Sequence, residues 1–235
     1  MERCIEVSKI NKSKYFFTIS IVLISLLLLV SIPACAHAAQ QKKIVIDPGH
    51  GGIDSGCIVK NIYEKNINLD ISMKVKSYLE QKGFKVVMTR NGDESLYKYC
   101  ETGDTLEKRD LNARVNKINE SNASIFVSIH VDSYHDNTIN GSIVYFFNDK
   151  CLQSKALAKS IQKSLNSLTA DGKKRMSHNS RAEDYYILRN TSIPGVLVET
   201  GFITNSRERS LLNTGEFRQK IAKSIAAGIE QYMSN

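Results

Sequence analysis

The chain has 235 residues, 42% of them hydrophobic, with a formal net charge of +8 and five cysteines. That length and apolar fraction suit one globular domain with a sizeable core. The cysteines are widely spaced with no C-x-x-C pair, which excludes a disulfide framework and a zinc ribbon, and no basic stretch interleaves with aromatics as a nucleic-acid stacking platform would.

The first segment stands apart from that domain. Lys12 and Lys14 precede an apolar run from Tyr15 to Ile32, and the small residues of Pro33-Ala34-Cys35-Ala36-His37-Ala38-Ala39 follow. A basic start, an apolar middle and a small-residue exit predict a secretory signal over 1–39, with the folded domain over 40–235. Ala34-Cys35-Ala36 and Ala36-His37-Ala38 both fit the cleavage pattern. The run is nearly long enough to span a bilayer, so an uncleaved anchor is one alternative. Lipidation at Cys35 is another, disfavoured by Pro33. All three routes predict an exported domain that touches membrane only through its N-terminal segment. Residues 1–39 hold a net +2, leaving +6 of the +8 on the remainder, a balance suited to an anionic surface such as cell wall or lipid head groups.

Strand-like runs follow at 43–47, 84–89, 124–130, 142–147, 185–188 and 195–199. Helical periodicities separate them. Ile67, Ile71, Val75 and Leu79 share one face after Glu64, with Gly83 as a stop signal; Leu111, Val115 and Ile118 mark a second helix. Leu157, Ile161, Leu165 and Leu168 mark a third, and Phe217, Ile221, Ile225, Ile229 and Tyr232 the last. Strand and helix in alternation predict an α/β layered fold on a largely parallel sheet, without internal repeat or second domain. Two stretches, 91–106 and 169–184, read as long loops, either lids and binding surfaces or tolerated insertions.

In an open α/β sheet ligands bind beyond the carboxyl ends of the strands. Strand 43–47 runs through Pro48 and Gly49 into His50, strand 124–130 ends at His130, and the last strand ends at Glu199. Glu64 opens the first helix on the same rim. Two His and two Glu match the inventory of catalytic zinc, three ligands plus a further carboxylate to move the proton. Glu199 follows Val196-Leu197-Val198, a run where an unpaired charge is costly. His37, His135 and His178 have no strand-end placement.

The stretches IVIDPGHGG, EKNINLDI, RVNKINESNASIFVSIHVD and PGVLVETGFITN, in that order, resemble the zinc-dependent N-acetylmuramoyl-L-alanine amidases of type 3, from about Lys43 to the C-terminal helix. The resemblance implies a single-domain three-layer sandwich with a twisted, mostly parallel sheet of about six strands. It implies cleavage of the amide between muramic acid and the L-Ala of the peptidoglycan stem peptide. It assigns His50, Glu64 and His130 as zinc ligands and Glu199 as the catalytic carboxylate. Asp132 falls where the family has Asn or Asp, in a position to orient a ligand. Arg114 either pairs with a carboxylate or faces solvent. A single-domain enzyme with such a signal resembles the spore-germination amidases that help convert cortex muramic acid to its δ-lactam, which points to the cell envelope or the spore intermembrane space. The two long polar loops, the lack of wall-binding repeats and the net +6 predict an activating envelope protein that orders the rim, the alternative being rigid loops and an enzyme that works alone. The alternatives are a zinc peptidase cutting within the stem peptide and a catalytically silent peptidoglycan-binding protein.

Overall fold

A computed structural model describes residues 42–234. The expectations on the signal, its cleavage sites, Cys35 and His37 lie outside the described residues. Among those described, no helix is long and apolar enough to cross a membrane.

The strands are β1 (Lys43–Pro48), β2 (Ile58–Val59), β3 (Ile62–Tyr63), β4 (Lys85–Met88), β5 (Ile125–Asp132), β6 (Ile143–Phe146), β7 (Thr169–Ala170), β8 (Lys173–Lys174), β9 (Arg181–Ala182) and β10 (Gly195–Phe202). The helices are α1 (Glu64–Gln81), α2 (Leu106–Asn119), α3 (Leu152–Asn166), α4 (Tyr186–Asn190), α5 (Ser206–Leu212) and α6 (Gly215–Met233). One six-stranded sheet runs in the order β4-β1-β5-β10-β6-β9. Its first four strands are parallel, β6 is antiparallel to β10, and β9 is parallel to β6.

The central strands are buried on both faces, which explains their unbroken β-branched runs. Along β1, Ile44 and Ile46 pack into a core shared with α1, α3 and α6, while Val45 points the other way, towards Val115, Ile118, Ile187 and Leu188 of α2 and α4. Alternate residues therefore feed two cores, and the layers are helix, sheet, helix. Helix α1 presents Ile67, Ile71, Val75 and Leu79 to the larger core. It ends at Gln81, and Gly83, two residues on with φ of +84°, allows a Schellman closure: Gly83 N–H to Glu80 O and Phe84 N–H to Leu79 O.

Three elements depart from the sequence expectation. Of residues 185–188, expected as a strand, Tyr185 is extended and the other three open α4, a single helical turn that packs Ile187 and Leu188 under the sheet. The sixth strand is β9, two exposed residues on the edge. The 169–184 stretch is a small β7–β8 hairpin, turning at Asp171 and Gly172 with positive φ, followed by this edge strand. Arg175 anchors it, donating from Nε to Glu208 Oε1 at 2.8 Å and from Nη1 to Ser142 Oγ at 2.9 Å, with all three side chains buried.

Candidate active site

The carboxyl ends of β1, β5 and β10 lie side by side, and Glu199 sits in register with His130. The turn after β1 delivers His50, and the first residue of α1 delivers Glu64. Glu64 Oε1 lies 3.1 Å from His50 Nε2 and 3.2 Å from His130 Nδ1. Donor atoms of the three residues lie within 4.8 Å of one another, a grouping that can hold a metal ion.

Two of the three are fixed from behind. His50 Nδ1 meets Asp54 Oδ2 at 2.7 Å, which aims Nε2 at Glu64. Glu64 Oε2 accepts the Cys57 N–H at 2.9 Å, and Oε1 accepts Asn68 Nδ2 at 3.0 Å and the Val131 N–H at 3.2 Å. Burial would raise the Glu64 carboxyl, but His130 and His50 hold it far below the ordinary carboxylate range. Burial would lower His50, but Asp54 and Glu64 push it up to about 10. The imidazole is therefore protonated at neutral pH in the metal-free protein.

The proline–glycine turn has two separate jobs. Pro48 ends β1. Gly49 leaves room for a ring, since a Cβ there would stand 2.2 Å from His130 Cε1. The bend itself falls on His50, with φ of 60°, a left-handed conformation that costs an L-residue about 1–2 kcal/mol. Arg114, 3% exposed, holds it: Nη1 donates to Asp47 Oδ1 and to Pro48 O, each at 2.7 Å, and Nη2 donates to His50 O at 2.6 Å. Of its two expected placements, Arg114 takes the paired one, also meeting Asp110 at 2.6 Å. Asp47 is buried, yet Arg114, Ser128 and Thr89 keep it below its ordinary value. The 91–106 stretch is no free lid either. Asp93 accepts from Gly52 N–H and Lys65 Nζ, and Ser95 bonds Ile53 N–H and Gly51 O. It buttresses the turn that carries His50.

Glu199 is in the opposite condition. It is 7% exposed and its Oε2 is buried without a hydrogen-bond partner. Burial, then repulsion from Asp132 and Glu64, pushes its carboxyl well above the ordinary range, against the pull of His50. Asp132 is half-buried and raised by its own burial. No hydrogen bond joins the Asp132 side chain to His50, Glu64 or His130; its backbone carbonyl accepts the Ile203 N–H at 2.8 Å.

His50, His130 and Glu199 open onto one cleft of about 670 Å³. Tyr185, Tyr186 and Ile187 wall one side, and exposed Ile53 and Leu106 line the cleft as well. The sequence reading missed Asp54, Asn68 and Arg90, along with this tyrosine wall. Asp54 and Asn68 each stand four residues after a ligand candidate, the one signal that could have marked them. His178, which has no strand-end placement, is half-buried, with Nε2 2.8 Å from Asn140 O. Cys57, Cys100 and Cys151 are unbridged.

Residues 44–231 match the family described as N-acetylmuramoyl-L-alanine amidase. The germination-specific N-acetylmuramoyl-L-alanine amidase of Bacillus subtilis is 32% identical over 194 residues, covering 82% of this chain and 80% of that one. The CwlD amidase of Clostridioides difficile, solved in complex with the GerS lipoprotein, superposes with a TM-score of 0.75 at 36% identity, covering 83% of this chain and 99% of that one. AmiC2 of Nostoc punctiforme gives 0.69 at 32% identity, over 83% and 98%. With a matching fold, a shared sequence pattern and a convergent His-Glu-His cluster, this chain belongs to the N-acetylmuramoyl-L-alanine amidase family.

Proposed function

We propose that the enzyme is a zinc hydrolase in which His50, Glu64 and His130 hold the metal and Glu199 moves the proton. The donor set supports this reading: two imidazoles and one carboxylate are one of the recurrent ligand sets of catalytic zinc. Zinc so held would supply a Lewis acid and a water acidic enough to react at neutral pH. Asp54 and Asn68 keep the imidazole and carboxylate aimed at the metal. Glu199 carries the reading. A buried carboxylate with an unpartnered oxygen, held well above its ordinary range by burial, has the properties of a group that exchanges protons in catalysis. It takes a proton from the attacking water and returns it to the departing nitrogen. The bond broken joins the lactyl carbonyl of muramic acid to the L-Ala amine of the peptidoglycan stem peptide. The cleft, with its tyrosine wall, has room for both sides of that bond.

We place the enzyme in the cell envelope or the spore intermembrane space, exported by its first 39 residues and acting on spore cortex on the way to muramic-δ-lactam. The basic and apolar N-terminal pattern supports export, and the similarity to the germination-specific amidase and to CwlD supports the cortex role. The GerS complex of CwlD and the exposed Ile53 and Leu106 at the cleft support an activating envelope partner. Digestion of purified cortex with products identified by mass is the test. Stem peptides released with a free L-Ala amine are expected; fragments cut within the stem would contradict the reading.

A further inference from the structure

Arg90, two residues past β4, is 1% exposed. Its guanidinium touches both elements that carry the first two metal-ligand candidates. Nε donates to Pro48 O at 3.0 Å and Nη2 to Gly49 O at 2.9 Å, in the turn that presents His50. Nη2 also donates to Lys65 O at 3.0 Å, one residue past Glu64 in the first turn of α1. Nη1 donates to Gly92 O at 2.8 Å and so ties in the buttressing loop. A second path runs parallel: Asn68 Nδ2 donates to Glu64 Oε1 at 3.0 Å and to the same Gly49 O at 3.4 Å.

This is a costly way to fill space. Among the described residues Arg90 makes no ion pair, and every partner named above is a neutral carbonyl. Burial, with Arg114 close by, lowers its pKa to about 10. An apolar side chain of similar size would fill the volume without burying a charge. What only arginine offers is a rigid planar fork with five N–H donors; here its four bonds span three chain segments, the His50 turn, the start of α1 and the buttressing loop. A lysine ammonium is a single point on a flexible stem and cannot bridge the same carbonyls in fixed geometry.

We propose that Arg90 is a positioning residue that sets the spacing between His50 and Glu64, and through it the affinity for the metal; this rests on the zinc reading above. Metal–ligand distances are held to about ±0.2 Å. A shift of the His50 turn against α1 by a fraction of an ångström therefore disturbs the site while leaving the fold intact. The left-handed backbone of His50 makes the turn prone to such a shift when its carbonyls are released.

The test is zinc affinity, measured by competition with a chromophoric chelator on the full-length protein, alongside the Tm of the metal-free form. The proteins compared are the native chain, Arg90→Lys, Arg90→Gln and Ile225→Ala. Ile225 is fully buried in α6 and does not line the cleft, so its variant matches the loss of stability without touching the turn. Arg90→Lys is expected to bind zinc about 10–100-fold more weakly, while Ile225→Ala keeps native affinity at a comparable or lower Tm. Native affinity in Arg90→Lys would overturn the proposal, as would affinity that falls in Ile225→Ala in step with Tm. If Arg90→Lys does not fold, Arg90→Gln carries the comparison; failure of both to fold would make Arg90 a folding residue and end the proposal. A native chain that binds no zinc would instead remove the ligand assignment on which it rests.

Discussion

The two sides of the cleft are built on opposite principles. On the His50 side, the carbonyls of Pro48, Gly49, His50, Gly51 and Gly52 each accept from a side chain: Arg90, Arg114, Asn68, Ser95 or Lys65. On the Glu199 side a buried carboxylate oxygen has no partner at all. The first arrangement spends hydrogen bonds to hold a strained residue still. The second withholds them, so that burial pushes the Glu199 carboxyl well above the ordinary range. Ligand geometry wants rigidity, and acid–base work wants an unsatisfied group. One rim of a sheet carries both arrangements, on β1 and β10, the two strands that flank β5.

Breaking the rigid side should cost most. Asp47→Ala leaves Arg114 buried against carbonyls with one carboxylate fewer, and removing one partner of a buried pair costs about 3–5 kcal/mol. Denaturant unfolding of the metal-free protein should show it as a drop in midpoint without a change in slope. Asp54→Asn is a smaller probe. It keeps the shape behind His50 but withdraws the carboxylate, and zinc should bind about 10-fold more weakly while the unfolding midpoint barely moves.

The third prediction concerns pH. In the metal-free protein His50 has a raised pKa of about 10 against an ordinary 6.5. Its contribution to stability is therefore full below pH 6.5 and fades as pH climbs to about 10. Zinc requires the neutral imidazole, so the loaded protein lacks that loss and metal affinity rises across the same window. The gap in Tm between loaded and metal-free protein should widen from pH 6.5 to 9. The smallest effect belongs to Glu199. Its raised carboxyl places the acid limb of the pH–rate profile above the ordinary Glu range, and a limb at or below pH 4.5 would show a solvated carboxylate instead.

The parts of this molecule that depend on periodicity were legible before any coordinates. Ile44 to Ile46, Ile125 to Ile129 and Val196 to Val198 read as strands because burial on both faces demands unbroken apolar runs. Their ends then brought His50, His130 and Glu199 to one rim. Tyr185 to Leu188 misled because a four-residue apolar run has the same pattern in a buried strand and a buried helical turn. Strand β9 left no trace, since an edge pair of exposed residues is held by backbone alone. The Asp171-Gly172 dipeptide is the usual signal for two positive-φ residues, yet 169–184 reads as a long loop because the strands it joins are only two residues each. The supporting shell was the least legible. Arg90 reaches Gly49 across 41 residues and Arg114 reaches His50 across 64, and contacts of that kind leave no local pattern.

The division of labour between the two sides can be tested in one protein. Glu199→Gln preserves shape and removes the proton carrier, and the purified variant can be assayed for zinc stoichiometry and for turnover on muramyl peptides together. Near one zinc per chain with turnover lowered about 10²–10⁴-fold is the expected result. Loss of zinc would make Glu199 a ligand, and undiminished turnover would remove it from the chemistry altogether; either would contradict the account.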